Sequence, residues 1–120
     1  MYVPPEGGPP LHRHDFEELF MILEGDVDFT FRDHKTTLHA GDVINIPANA
    51  PHHFHNATRE NIRMLCMCTP PGQEEFFLKI GDRVPTRTSP PPKLSPDEQQ
   101  KRMQLTQQLA PQYRTELLKQ

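Results

Sequence analysis

The chain has 120 residues and carries 13 Lys and Arg against 16 Asp and Glu, a formal charge of −3. That length fits one domain with little room for a second. The even balance of charge, with no block of one sign, argues against nucleic acid and anionic membrane as partners. The apolar fraction is 34% and the mean hydropathy is −0.72. No apolar run approaches the ~20 residues of a membrane helix, and no membrane partner is expected. The opening Met1-Tyr2-Val3-Pro4-Pro5 does not read as a secretory leader, so a cytoplasmic location is expected. All seven histidines lie between His12 and His55, while prolines punctuate both ends of the chain.

Residues 11–69 read as a series of short strands. The first long one, Glu18 to Leu23, stops at the turn signal Glu24-Gly25-Asp26. Asp26 to Arg32 then alternates, with Val27, Phe29 and Phe31 on one side and polar residues on the other. A hairpin turn is expected at Asp33-His34, followed by a polar strand over Lys35 to His39 and a turn at Ala40-Gly41-Asp42. Val43 to Ile46 is a short apolar strand ended by the Pro47-to-Pro51 loop. His52 to His55 and Asn61 to Thr69 complete the set, and the pattern predicts an all-β barrel or sandwich. Cys66 and Cys68 alternate in the last strand and should share one face. They are read as two small buried apolar residues in a reducing cytosol, too few for a disulfide framework or for a structural zinc site on their own.

A helix is expected from Glu74 to Ile80, with Gly81 as its C-terminal cap. Residues 83–94, with Pro85 and Pro90-Pro91-Pro92, form a proline-rich linker. Ser95-Pro96-Asp97-Glu98 is a capping box with proline at the first helical position, and it opens a helix to about Leu109. The division is thus a barrel over 1–82, the linker, and a C-terminal helical tail over 95–120. That tail is expected to be lightly packed, with a lid or dimer arm as the alternative.

The informative stretch is His12-Arg13-His14-Asp15-Phe16-Glu17-Glu18. On a strand the two alternate histidines face one side and can converge on one metal ion. Glu18 shares their parity, whereas Glu17 does not. A straight strand would carry Glu18 ~13 Å beyond His14, so a shared ion requires a bend near Asp15-Phe16-Glu17. His52, just after the Pro47–Pro51 loop, offers a further ligand. Three neutral imidazoles and one carboxylate on a divalent ion leave a net charge of about +1, which would attract an anionic oxygen donor. His53 and His55 have the opposite parity to His52, and His34 and His39 are expected to be solvated. Asn56 reads as a turn or backbone-bonding residue. Phe20, Ile22, Phe29, Phe31 and Phe54 are candidates for a pocket wall, or for ordinary core.

These residues resemble the cupins. The first cupin motif is matched by Gly7, Gly8, His12, His14, Glu18 and Gly25, and the second by Gly41, Pro47, His52 and Asn56, with Asn49 where that family usually has glycine. Asparagine tolerates the positive φ of such a turn. The resemblance implies a double-stranded β-helix, the jelly-roll barrel. It also implies His12, His14, Glu18 and His52 as ligands of one divalent transition metal ion (Fe, Mn, Ni, Zn or Cu). The run Thr69 to Phe77 and the C-terminal helix are similar to those of small single-domain cupins resembling quercetin 2,3-dioxygenase. By that likeness the chain is expected to be a dioxygenase-like oxidoreductase acting on a small enolic or phenolic substrate, with Glu18 doubling as a base. The alternatives are a binding module without turnover, an isomerase or lyase of the same fold, and a β-barrel with an empty site. Only eleven residues precede His12, four of them proline, so N-terminal barrel strands are expected to be lacking. An open edge would favour a homodimer.

Overall fold

The computed structural model describes residues 1–119. Its elements run β1 (Tyr2–Val3), β2 (His12–His14), β3 (Glu17–Glu24), β4 (Asp26–Phe31), β5 (His34–His39), β6 (Val43–Ile46), β7 (His52–His55), β8 (Ile62–Thr69), α1 (Gln73–Ile80), α2 (Pro96–Leu109), a 3₁₀ turn over Ala110–Tyr113, and β9 (Thr115–Leu117). Two antiparallel sheets face each other, one in the order β1-β8-β3-β6 and the other β5-β4-β7-β2-β9. Alternation along each strand sends one set of side chains inward. Phe20 and Ile22 from β3, Ile62 and Met64 from β8, and Ile46 from β6 meet Val27 and Phe29 from β4 and Phe54 from β7. This is the all-β architecture expected from the alternating pattern, in the jelly-roll arrangement that the family resemblance implies. No helix of the described residues is long and apolar enough to cross a membrane.

The bend demanded between His14 and Glu18 is present and has a simple cause. The chain leaves one sheet at His14 and enters the other at Glu17. Phe16 turns inward at this corner, and its ring stacks on His14 with centroids 3.9 Å apart. The second turn the site depends on is Asn49, whose φ of 67° lets its N–H donate to the His14 carbonyl at 2.7 Å. That bond ties the Pro47–Pro51 loop to the end of β2 and delivers His52 opposite His12, its register partner. Gly8 presses on the same strand. A Cβ there would lie 2.0 Å from the Phe54 carbonyl oxygen, so only glycine fits. Asn56, fully buried, donates to the carbonyls of Val3 and Glu60 and accepts from the N–H and hydroxyl of Thr58. It is a backbone-bonding residue, as its turn chemistry suggests.

Two expectations need correction. The β4–β5 turn falls on Arg32 and Asp33, both at positive φ, and His34 already belongs to β5 opposite Phe31. The two central residues at positive φ make a type I′ hairpin turn, one residue earlier than expected. Gly81 caps α1 as expected, in extended geometry with φ −84° and with its N–H returning to the Phe77 carbonyl.

The second correction concerns the C-terminal segment. Expected as a lightly packed helical tail, it instead supplies a barrel strand. Leu117, Glu116 and Thr115 of β9 pair with His12, Arg13 and His14 of β2. Flanking bonds from Leu118 N–H to the Leu11 carbonyl and from Asp15 N–H to the Arg114 carbonyl lengthen the seam. N-terminal strands are not lacking altogether, since β1 (Tyr2–Val3) precedes His12 and pairs with β8, while the outer neighbour of β2 comes from the other end of the same chain. The edge that would have invited a second subunit at β2 is closed. The capping box at Ser95 and Glu98 forms as expected, and Arg102 holds Asp82 through two bonds of 2.7 and 2.6 Å. These contacts lay α2 beside α1, with Phe76 of α1 stacked on Tyr113.

Candidate metal centre

β2 contributes His12 and His14, β7 contributes His52, and β3 brings Glu18 from the facing sheet. All four are buried: His52 is 0% exposed, His14 2%, Glu18 3% and His12 8%. One ligand atom from each lies within 4.8 Å of all the others. Glu18 Oε1 is 3.1 Å from His14 Nε2 and 3.3 Å from His52 Nε2. Adjacent donors around an ion with ~2.1 Å bonds are themselves about 3.0–3.4 Å apart, so these contacts already have the right span. Glu17, off parity, is exposed on the outer face.

Each imidazole is oriented by a backbone carbonyl two residues before or after it. His12 Nδ1 lies 2.8 Å from the Pro10 oxygen, His14 Nδ1 3.0 Å from that of Phe16, and His52 Nδ1 2.9 Å from that of Ala50. A carbonyl only accepts, so each Nδ1 carries the hydrogen and donates it. In a neutral ring this leaves Nε2 as a bare lone pair. Three such lone pairs and a carboxylate then crowd one buried space. Without positive charge between them, His14 Nε2 and Glu18 Oε1 face each other acceptor to acceptor. A divalent cation resolves the conflict, and neutral nitrogen donors with one carboxylate suit a first-row transition ion. The residues fit such a group on this ground alone.

Burial, and then the neighbouring His52 ring, push the His12 imidazole down to about 4, against the opposing Pro10 carbonyl. Burial pushes Glu18 upward, but its contacts with His14, His52 and the Cys66 thiol together outweigh it and hold the carboxyl well below its usual range. The linkage follows. Between pH 6.5 and 4 the unfolded chain binds a proton at residue 12 that the fold refuses, so stability falls as pH falls through this window. Metal-free protein should lose up to about 3 kcal/mol there from His12 alone. Glu18 acts in the same direction at still lower pH. Exposed His39, raised by its bond to Asp26, stabilises at acid pH and opposes the trend only from the surface. Urea unfolding of chelator-treated protein across this range measures the effect, and stability that stays level or climbs on acidification would refute it.

Beside the cluster lies a cavity of about 320 Å³. His12, Glu18 and Gln73 are polar groups on its wall, and Phe20, Phe54, Phe76, Phe77, Ile80, Met103 and Leu117 supply most of the rest. Of the pocket candidates, Phe20 and Phe54 face this cavity, whereas Ile22 and Phe29 belong to the packed core and Phe31 lies against it. Among the described residues no lysine or arginine lines it, and Glu18 is the one carboxylate. Helices α1 and α2 supply part of the wall, and strand β9 lines it next to β2. A wider cleft of about 410 Å³ runs along the proline-rich segment and touches none of the four ligand residues.

One feature escaped the sequence. Cys66 and Cys68 do share a face, but that face looks at Glu18. Both thiols donate to Glu18 Oε2, at 3.0 and 3.5 Å, and Cys68 also donates to Gln73 Oε1 at 2.9 Å. Bonding to Cys68, burial and the Glu18 charge all push the Cys66 thiol strongly upward. Nothing in the two-residue spacing reveals this, because it depends on the register that sets Glu18 opposite Cys68.

An antiparallel jelly-roll barrel with a buried three-histidine, one-glutamate cluster defines a class of protein built around an interior site. The Cupin domain family model matches residues 1–68, and the chain belongs to that family. It is 36% identical over 66 residues to an uncharacterized protein of Methanocaldococcus jannaschii, covering 54% of this chain and 53% of that one. It is 35% identical over 68 residues to the uncharacterized protein YdbB of Bacillus subtilis, covering 56% and 57%. The chain thus spans about half the length of the curated relatives it matches. Among solved structures it resembles a predicted oxalate decarboxylase of Thermotoga maritima, with 26% identity, 57% of this chain and 60% of that one covered, and a TM-score of 0.54.

Proposed function

We propose that the chain is a metal-dependent oxidoreductase of the dioxygenase type, acting on a small enolic or phenolic substrate with an apolar body. His12, His14, Glu18 and His52 hold one divalent transition ion. The observation that carries the reading is the juxtaposition of this donor cluster with an apolar cavity that reaches it at His12 and Glu18. When bound, the ion supplies Lewis acidity and open positions for substrate oxygen and O₂. The chain does the rest. Phe20, Phe54 and Phe76 bind the substrate body by burying it from water. The three backbone carbonyls fix the imidazoles, and Glu18, the one carboxylate on the wall, accepts the proton of the enolic or phenolic hydroxyl. Because its contacts hold it acidic, it becomes a competent base only when the substrate hydroxyl takes their place.

The cavity wall argues against two other substrate classes. A dianion such as oxalate or a sugar phosphate would meet only the loaded site's net charge of about +1 in an otherwise apolar wall, with no arginine or lysine to offset the rest of its desolvation penalty. The test is O₂ uptake by protein reconstituted separately with Fe(II), Mn(II) and Ni(II), offered flavonols, catechols and β-diketones. Uptake with one of these classes is expected, together with none for oxalate. Silence across all three with fully loaded protein would overturn the reading.

A homodimer belongs to the same proposal, now for a different reason. The outer side of the β1-β8-β3-β6 sheet, which should be polar if it faced water, exposes Tyr2, Leu23, Val43, Leu65 and Met67. A second copy of the same face would cover them.

A further inference from the structure

We propose that Cys66, Cys68, Glu18 and Gln73 form a second metal site, selective for a thiophilic ion such as zinc, that shares the Glu18 carboxylate with the histidine cluster. It goes beyond the proposed function and does not depend on turnover.

The four side chains come from three elements that the fold forces together. Cys66 and Cys68 point to the same side of β8. Glu18 sits opposite Cys68 in the β3–β8 register. Gln73 is the first residue of α1, which folds back over the end of β8 after the Pro70-Pro71-Gly72 turn. The two sulfurs are 4.0 Å apart. Their distances to Glu18 Oε2 are 3.0 and 3.5 Å, and to Gln73 Oε1 4.0 and 2.9 Å. A tetrahedral ion with ~2.3 Å bonds to sulfur and ~2.1 Å bonds to oxygen separates two sulfurs by about 3.8 Å and a sulfur from an oxygen by about 3.6 Å. Shifts of well under an ångström for most pairs would admit it. The site is a cage of donors with the metal's dimensions, currently held together by thiol hydrogen bonds.

Glu18 is divided between the two clusters. Its Oε1 faces His14 and His52, and its Oε2 faces the two thiols. A carboxylate whose oxygens look in opposite directions is the usual bridge between two cations, and each cation lowers the repulsion that the carboxylate's charge presents to the thiolates. The two sites also differ in softness. Imidazole nitrogen predominates in one, thiolate sulfur in the other, so they sort ions rather than compete for the same one. Binding releases the two thiol protons to solvent as two metal–sulfur bonds form, with no change of oxidation state.

The experiment uses the full chain, reduced and stripped of metal, titrated with Cd²⁺ as a spectroscopic probe and with Zn²⁺. Two equivalents should bind, one of them producing the ultraviolet thiolate-to-metal charge-transfer band. Saturating Zn²⁺ should slow alkylation of the wild-type thiols by iodoacetamide by about tenfold or more, as expected when thiolates are tied up in metal bonds. The double variant Cys66→Ser with Cys68→Ser should lose the band and one equivalent and keep the other. The double variant His14→Ala with His52→Ala should keep the band. Wild-type protein that binds Cd²⁺ with no thiolate band, or whose thiols are alkylated equally fast with zinc present, overturns the second site. The histidine reading fails separately, if the histidine double variant still binds both equivalents.

Discussion

Replacing His52 by alanine is expected to lower affinity for the first transition ion by more than about a hundredfold, since even an outer partner of a ligating histidine is worth roughly 10–100-fold. His52 is the strongest single test because three independent features converge on it. It is fully buried, it contacts Glu18 through Nε2, and its Nδ1 is fixed on the Ala50 carbonyl. Its ring is also the neighbour whose charge does most to depress His12. The substitution removes a packed ring and leaves the Ala50 carbonyl without its donor, so metal-free stability should fall by about 2–3 kcal/mol. His53→Ala is the matched control. His53 is next in sequence but points out of the barrel, half-buried, and its loss should leave metal affinity where it was. Competition against a chromophoric chelator measures both variants. If His52→Ala and His53→Ala bind the ion as tightly as the parent, the four side chains do not act as one ligand set.

The residues that were legible in the sequence are those whose positions follow from short-range periodicity. Parity along two strands selects Glu18 over Glu17 and turns His53 and His55 away from His52. The family motif, with Asn49 where glycine is usual, marks that position for positive φ, and that turn places His52. The bend between His14 and Glu18 was deducible as a requirement, since a straight strand cannot bring them to one ion. What remained hidden depends on contacts across the chain. Thr115-Glu116-Leu117 has three residues and no repeating pattern, so only its pairing partner makes it a strand. The dithiol's view of Glu18 is likewise a matter of register between β3 and β8, and Gln73 joins it only because α1 turns back on the barrel. The turn at Arg32-Asp33 was missed by one residue because neither residue is a glycine, the usual marker of positive φ.

The C-terminal strand yields the second large effect. Ending the chain before Arg114 removes β9 and exposes the edge of β2 that carries two of the proposed ligands. Three register pairs are lost, together with the bonds from Leu118 N–H to Leu11 and from Asp15 N–H to Arg114, and the Arg114 side chain no longer pairs with Asp15. At ~1 kcal/mol for each net hydrogen bond, stability should fall by about 3 kcal/mol or more. Thr115 and Leu117 also leave the cavity wall, so water gains entry beside His12. The truncated protein should therefore bind metal more weakly and lose discrimination in favour of apolar substrates, because the cavity no longer excludes water around the substrate body. Amide exchange localises the effect, with protection of residues 12–14 collapsing while the β3–β8 ladder stays closed. A truncated chain with undiminished protection at His12 to His14 and unchanged melting would mean that β9 decorates the barrel edge and that β2 is held by β7 alone.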